Sequence, residues 1–249
     1  MIRRLYKKIR GQSKPSPKVD CESVSFASTT GFHIEASILW PPQQGKVPGV
    51  VIAPTMNSNL PFALENIARM GVAVMTFSPS GRGNSWGNED YGGAEHQDNL
   101  GQCLRILHDH ARISSIAVIS CKDGLSMAIG GISLSSVPVH FLLDFEGPAT
   151  KEQIYLPQSE RRLDDFFWSQ REPVQLIQRL TCGYIRLQAD ILDYRECRLL
   201  LRAAHQTELP WFQLNYHQRN TIPQEPKLLP NTTKDIERAI QIKLKLLYS

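Results

Sequence analysis

At 249 residues, 41% hydrophobic and 21% charged, the chain is long enough for one large α/β domain with a substantial core, and its composition is that of an ordinary globular protein. No apolar run approaches the ~20 residues of a membrane helix. The net charge of +4 is concentrated in residues 1–19, where Arg3, Arg4, Lys7, Lys8, Arg10, Lys14 and Lys18 stand without an acid; elsewhere basic residues are not grouped with aromatics into a nucleic-acid module, so no nucleic-acid partner is expected.

In chain order, residues 1–19 read as a basic flexible leader. Ile2, Leu5, Tyr6 and Ile9 would share one face if the arm became a short helix against an anionic membrane surface or a protein partner. No apolar core and cleavage site follow the basic residues, so the arm does not read as a secretory signal. Residues 20–249 read as one domain. Ser23–Phe26 and His33–Trp40 are predicted strands joined by the turn at Thr30-Gly31. Gly49–Ala53 and Val72–Phe77 are short continuous apolar runs, the pattern of buried strands. Between them Leu64, Ile67 and Ala68 recur at helical spacing, with Gly71 placed to end the helix.

A loop rich in Gly, Ser and Asn covers Ser78 to Gly93. It leads into a helix whose face is marked by Leu100, Cys103, Leu104, Leu107 and Ala111. Ile116–Ser120 reads as a strand, followed by a sharp turn and a helix from Gly124 to Gly130. His140–Phe145 is strand-like. Residues 147–172 break the alternation and read as a cap-like insertion over one end of the sheet. Helix Val174–Leu180, strand Gly183–Gln188, helix Tyr194–Ala204 and strand Trp211–Asn215 follow. Thr232 and Asp235 resemble a capping box for a last helix with Ile236, Ile240, Leu244 and Leu247 in one stripe. Strands alternating with helices predict a mostly parallel central sheet with helices on both faces.

The five cysteines (Cys21, Cys103, Cys121, Cys182, Cys197) are scattered, odd in number and form no C-x-x-C pair. That argues against a disulfide framework and a structural zinc site, and fits a reducing, cytoplasmic compartment. No cofactor is expected.

Three segments carry candidate chemistry. Phe77-Ser78-Pro79-Ser80-Gly81-Arg82-Gly83-Asn84-Ser85-Trp86-Gly87 follows a buried strand. It lacks the Lys-Ser/Thr of a P-loop and is too interrupted for a dinucleotide fingerprint. Ile119-Ser120-Cys121-Lys122-Asp123-Gly124-Leu125 sits between strand and helix, the context of a Gly-x-Ser-x-Gly nucleophile elbow. Gly183 to Asp193 and Trp211 to His217 are two further strands, each running into a polar loop.

In this order and spacing the segments make residues 23–249 resemble the α/β-hydrolase family, in its dienelactone-hydrolase- and esterase-like branch. The resemblance implies the α/β-hydrolase fold, with a pocket formed by the loops after Ala53, Ser78, Ser120, Phe145, Gln188 and Asn215. It also implies an acyl or ester small molecule as ligand. The first loop matches the family's Asp-x-Arg-Gly-His-Gly-x-Ser in its glycines and Ser85, with Ser78 and Arg82 in place of the usual Asp and His. At the elbow, Ser120 and Gly124 take the glycine positions and Lys122 the nucleophile's. Asp190 and Asp193 flank the family's acid position, where Leu192 falls in the best register, and His217 takes that of the histidine. Thr55, in Ala53-Pro54-Thr55-Met56-Asn57, and Asp123 are the oxyanion-hole candidates.

Ordinary acyl transfer needs a hydroxyl activated by a histidine. Cys121 is one residue early for that role, and Ser126 is too late and lies in the predicted helix. Lys122 as a Schiff-base or proton-transfer residue remains an alternative. Asp144 and Glu146 read as caps for the next helix or as a substitute acid. Glu89-Asp90 and Asp164-Asp165 read as solvated loop charges, and His205 as structural. The expectation is a hydrolase-like protein impaired at its nucleophile. The alternatives are an active carboxylic-ester, thioester or lactone hydrolase with a non-standard nucleophile, and a non-catalytic binding or membrane-associated scaffold.

Overall fold

Strand β3 (Val47–Ala53) is apolar at nearly every position and buried throughout, which only an interior strand with both faces covered permits. The computed structural model describes residues 18–56, 60–154, 156, 164–188, 194–207, 209–216 and 233–248. In it β3 is an interior member of an eight-stranded sheet of order β1-β2-β4-β3-β5-β6-β7-β8. β1 (Asp20–Ala27) and β2 (His33–Trp40) form an antiparallel hairpin, and β2 also runs antiparallel to β4 (Ala73–Phe77). Beyond β4 every pairing is parallel, through β3, β5 (Ile113–Cys121), β6 (Val139–Phe145), β7 (Gly183–Gln188) and β8 (Phe212–Tyr216). The carboxyl ends of these six strands therefore share one edge of the sheet.

Parallel neighbours need crossover connections, and helices supply them. The crossing helices are α1 (Leu64–Arg69), α2 (Ala94–Asp109), α3 (Gly124–Leu134), α4 (Asp165–Ser169), α5 (Pro173–Leu176) and α6 (Tyr194–His205), and α7 (Thr233–Leu244) follows β8. The two-residue alternation of strands splits the core into two layers. Val51 and Ala53 pack with Met75, Val118 and Leu142 under α2, α3, α5 and α6. Val50 and Ile52 pack with Val74, Ile119 and Leu143 under α1 and α7. Gly49 lets α2 approach β3, since a Cβ there would stand 2.9 Å from Leu107 Cδ2.

The predicted strands are all present, with β5 beginning three residues earlier than Ile116. The helix expected over Val174–Leu180 is corrected: α5 ends at Leu176 and the chain continues as a 3-10 turn, Ile177–Arg179. Seven residues are too few for apolar spacing to separate periods of 3.0 and 3.6. The last helix carries Ile240 and Leu244 into the core as expected, while its proposed cap, Thr232, lies outside the described residues. So does the basic arm up to residue 17. Among the described residues no helix is long and apolar enough to cross a membrane.

Candidate active site

At the end of β5 the chain must turn from a buried strand into a helix within two residues. Cys121 is still in the strand and buried, Gly124 is already in α3, and Lys122 makes the corner with φ of 47°. This left-handed conformation costs a side-chain-bearing residue about 1–2 kcal/mol. It is held by the Lys122 N–H donating to Phe145 O on β6 (2.9 Å) and by Lys122 O accepting from Leu125 N–H (3.1 Å). The helix starts so close to β3 that a Cβ on Gly124 would lie 2.6 Å from Ala53 O. Lys122 is thereby pushed out of the sheet edge and its side chain is exposed.

Two more non-glycine residues have positive φ among the described residues, Glu146 at 52° and Tyr91 at 50°. Glu146 follows β6, directly beside the Lys122 corner, and its N–H donates to Leu187 O on β7 (3.1 Å). Tyr91 belongs to the loop after β4, where its neighbour Gly92 packs against Ser126 of α3. Backbone strain of this kind gathers where the fold over-determines a site.

The loop after β4 is bound into this edge. Arg82 holds both oxygens of Glu89, Nε to Oε2 at 2.6 Å and Nη2 to Oε1 at 2.7 Å, while its Nη1 is buried without a partner among the described residues. Burial works to raise the Glu89 pKa, and the Arg82 hydrogen bonds and charge outweigh it, leaving the carboxyl below its ordinary range. His96, wholly buried in the first turn of α2, places Nε2 2.9 Å from Ser80 O, and Nδ1 accepts from Gly92 N–H at 3.2 Å. Burial, and then the nearby Arg82 charge, lower its pKa and keep the ring neutral. Ser85 accepts from Glu35 N–H (2.9 Å) and donates to Ser78 O (2.6 Å), tying the loop to β2.

Arg171, also buried, joins the connection between β6 and β7 to the same loop. Its guanidinium pairs with the Asp90 carboxylate, donates to Asp90 O (3.0 Å and 3.1 Å) and Phe167 O (3.1 Å), and lies 3.8 Å from the Phe167 ring centre. Glu89 and Asp90 are thus corrected from solvated charges to the anchors of the loop. Their partners lie seven and eighty-one residues away, the second beyond the reach of any local pattern.

No protein-family model matches the sequence, and no curated protein sequence matches it. Solved structures do. An acetyl xylan esterase from Paenibacillus sp. R4 superimposes with a TM-score of 0.65 at 15% identity, over 95% of this chain and 86% of its own. An esterase of Pyrococcus furiosus gives 0.64 at 13%, over 93% and 94%. The dipeptidyl peptidase 4 of Porphyromonas gingivalis gives 0.66 at 11%, over 92% of this chain, which spans only 36% of that one.

The chain has the α/β-hydrolase fold.

In an α/β-hydrolase the strand-to-helix corner after the fifth strand is the nucleophile elbow, with the nucleophile in a strained turn. The corner residue here is Lys122. Cys121 is buried, and burial, with the Asp144 charge adding to it, pushes its thiol far above the ordinary range. Ser126 is buried in α3 and its hydroxyl donates to Arg171 O. Ser120, under the corner, donates to Asp144 Oδ1 at 3.4 Å.

Asp123, next in sequence, turns its carboxylate back toward the loop after β3 and accepts from Met56 N–H at 2.8 Å. Burial raises its pKa, while backbone hydrogen bonding and the Arg82 charge pull the other way. Thr55 is buried beside Met56, and its hydroxyl has no partner among the described residues.

Asp144 does not cap a helix. Its carboxylate is buried below the elbow, paired with Arg186, and accepts from the Tyr184 hydroxyl (2.8 Å) and Gly147 N–H (2.9 Å). Asp190, Leu192, Asp193 and His217 lie outside the described residues; the strands that precede them, β7 and β8, pair through Gln188 and Tyr216 at the elbow edge. Among the described residues no group of three His, Cys, Asp or Glu side chains could hold a metal ion.

Nothing in the sequence alone marks His96, Arg171 or Met56 as members of this edge. An isolated histidine or arginine carries no pattern, and Met56 takes part through its backbone, which its side-chain identity does not reveal.

Proposed function

We propose that this chain is an esterase-like α/β-hydrolase homologue that is impaired as a catalyst and keeps the pocket at the elbow for binding an acyl or ester small molecule or a partner. The observation that carries the reading is Lys122 at the strained corner. A hydroxyl or thiol there would be aimed at a substrate carbonyl, whereas an amine that captured an acyl group would form an amide and stop. Lysine nucleophiles are activated by desolvation or a neighbouring cation, and the Lys122 side chain is exposed. The other hydroxyl and thiol groups around the corner, on Ser120, Cys121 and Ser126, are buried and turned inward.

Treatment with a fluorophosphonate followed by intact-mass measurement tests this reading. No adduct is expected, and a stoichiometric adduct would place an activated nucleophile in the chain after all. All five cysteines are free thiols, four of them buried, which supports a reducing compartment such as the cytoplasm. The basic arm is proposed to contact an anionic membrane surface or an acidic partner. Deleting residues 1–14 should lower binding to anionic vesicles at low salt, and unchanged binding would reject the membrane role.

A further inference from the structure

In this fold the negative charge that develops on a substrate oxygen is met by two backbone amides, that of the residue after the nucleophile and one from the loop after β3. Here the residue after the corner is Asp123, and the loop after β3 offers the neighbouring amides of Thr55, the candidate by sequence, and Met56, the one that bonds Asp123. Met56 N–H donates to Asp123 Oδ2 at 2.8 Å, so the side chain of the residue after the corner bonds an amide of the loop after β3. A carboxylate is an acceptor of the same charge and kind as the oxyanion, and as a hydrogen-bonded ion it holds amides more strongly than a neutral carbonyl would. It is also tethered one residue from the elbow, so no external ligand meets the nest at comparable effective concentration.

We propose that the Asp123 side chain is a built-in occupant of the oxyanion nest, and that the nest becomes a site for an external monocarboxylate or acyl oxygen only when that side chain is withdrawn. The contact is autoinhibitory and independent of the residue at the corner. A hydroxyl introduced at position 122 would still face a filled nest. The Thr55 hydroxyl, next to Met56 in the same loop, is buried and has no partner among the described residues. The inference rests on reading the β5–α3 corner as a hydrolase elbow, not on the loss of turnover.

The test is NMR on the full chain. In the wild type a through-hydrogen-bond coupling should connect the Met56 amide nitrogen and the Asp123 carboxyl carbon. Met56 amide exchange should be about tenfold or more faster in Asp123→Ala, the loss expected for a charge-assisted hydrogen bond, and much less altered in Asp123→Asn, which keeps an acceptor oxygen. Sodium acetate titrated at constant ionic strength should give saturable shifts at the Met56 and residue-123 amides of the alanine variant and none in the wild type. Equal acetate shifts in the wild type, unchanged Met56 exchange in the alanine variant, or no coupling would each overturn the proposal. If the alanine variant does not fold, the wild-type coupling decides alone. Ester turnover by the wild type would sink the proposed function, whereas these readouts report only the nest.

Discussion

The Asp144 carboxylate and the Arg186 guanidinium form an ion pair buried beneath the elbow, closed by the Tyr184 hydroxyl on one side and by Gly147 N–H and O on the other. The pair links the carboxyl ends of β6 and β7 at the point where the chain leaves the sheet toward Glu146. Such a pair is a weak source of stability when intact and a severe liability when broken, because the remaining charge is left buried. Arg186→Met should therefore cost about 3–5 kcal/mol in denaturant unfolding, and Asp144→Leu a similar amount. The double variant Asp144→Leu/Arg186→Met should recover a large part of that loss. Additive losses would show that the two side chains do not act as a pair.

His96 makes stability depend on pH in a known direction. Its pKa in the folded chain lies below the ordinary 6.5, so as pH falls through 6.5 the unfolded chain takes up a proton that the folded chain refuses. Stability should fall below about pH 6.5 and be nearly flat above it as far as this group is concerned. Glu89, lowered from 4.5, acts in the same direction in the more acidic window below that value. Asp123, raised from 3.8, acts oppositely: its contribution declines as pH rises above 3.8 through its folded pKa. In His96→Gln, urea midpoints measured between about pH 7 and pH 5.5 should lose most of their slope; a slope unchanged from the wild type would assign the dependence elsewhere.

The strain at Lys122 can be released. Glycine adopts φ near 47° without a Cβ clash, so Lys122→Gly should raise stability by about 0.5–1 kcal/mol, the left-handed penalty less glycine's extra unfolded-state entropy. A higher unfolding midpoint would show that the corner is kept strained despite its cost, as functional corners are. A lower midpoint would mean that the Lys122 side chain itself stabilises the turn.

The sheet was legible because burial on both faces writes itself into composition: Val50–Ile52, Val72–Val74 and Ile116–Ile119 are runs with no polar face to give. The strand-to-helix corner was legible because the strand, the turn and Gly124 occur together, and Gly124 is required where a Cβ would strike Ala53 O. The charges were not. Glu89, Asp90 and Asp144 look alike as loop or strand-end acids, and what separates them is the arginine that the tertiary fold brings to each. For Asp90 that is Arg171, and for Asp144 it is Arg186, forty-two residues further on. Asp123 is an oxyanion-hole candidate by its position after the corner, through its backbone amide and not its carboxylate. That the carboxylate would fill the nest depends on a side-chain torsion that the sequence does not encode locally.

The central claim is that Lys122 leaves the elbow without a nucleophile. Hydrolysis of a panel of short- and medium-chain p-nitrophenyl esters by wild type and Lys122→Ala, with Lys122→Ser alongside, tests it most directly. Wild type and Lys122→Ala should be indistinguishable from each other and from the uncatalysed rate. Lys122→Ser should gain little while Asp123 still occupies the nest. Clear wild-type turnover that disappears in Lys122→Ala would contradict the claim and make Lys122 a working catalytic residue.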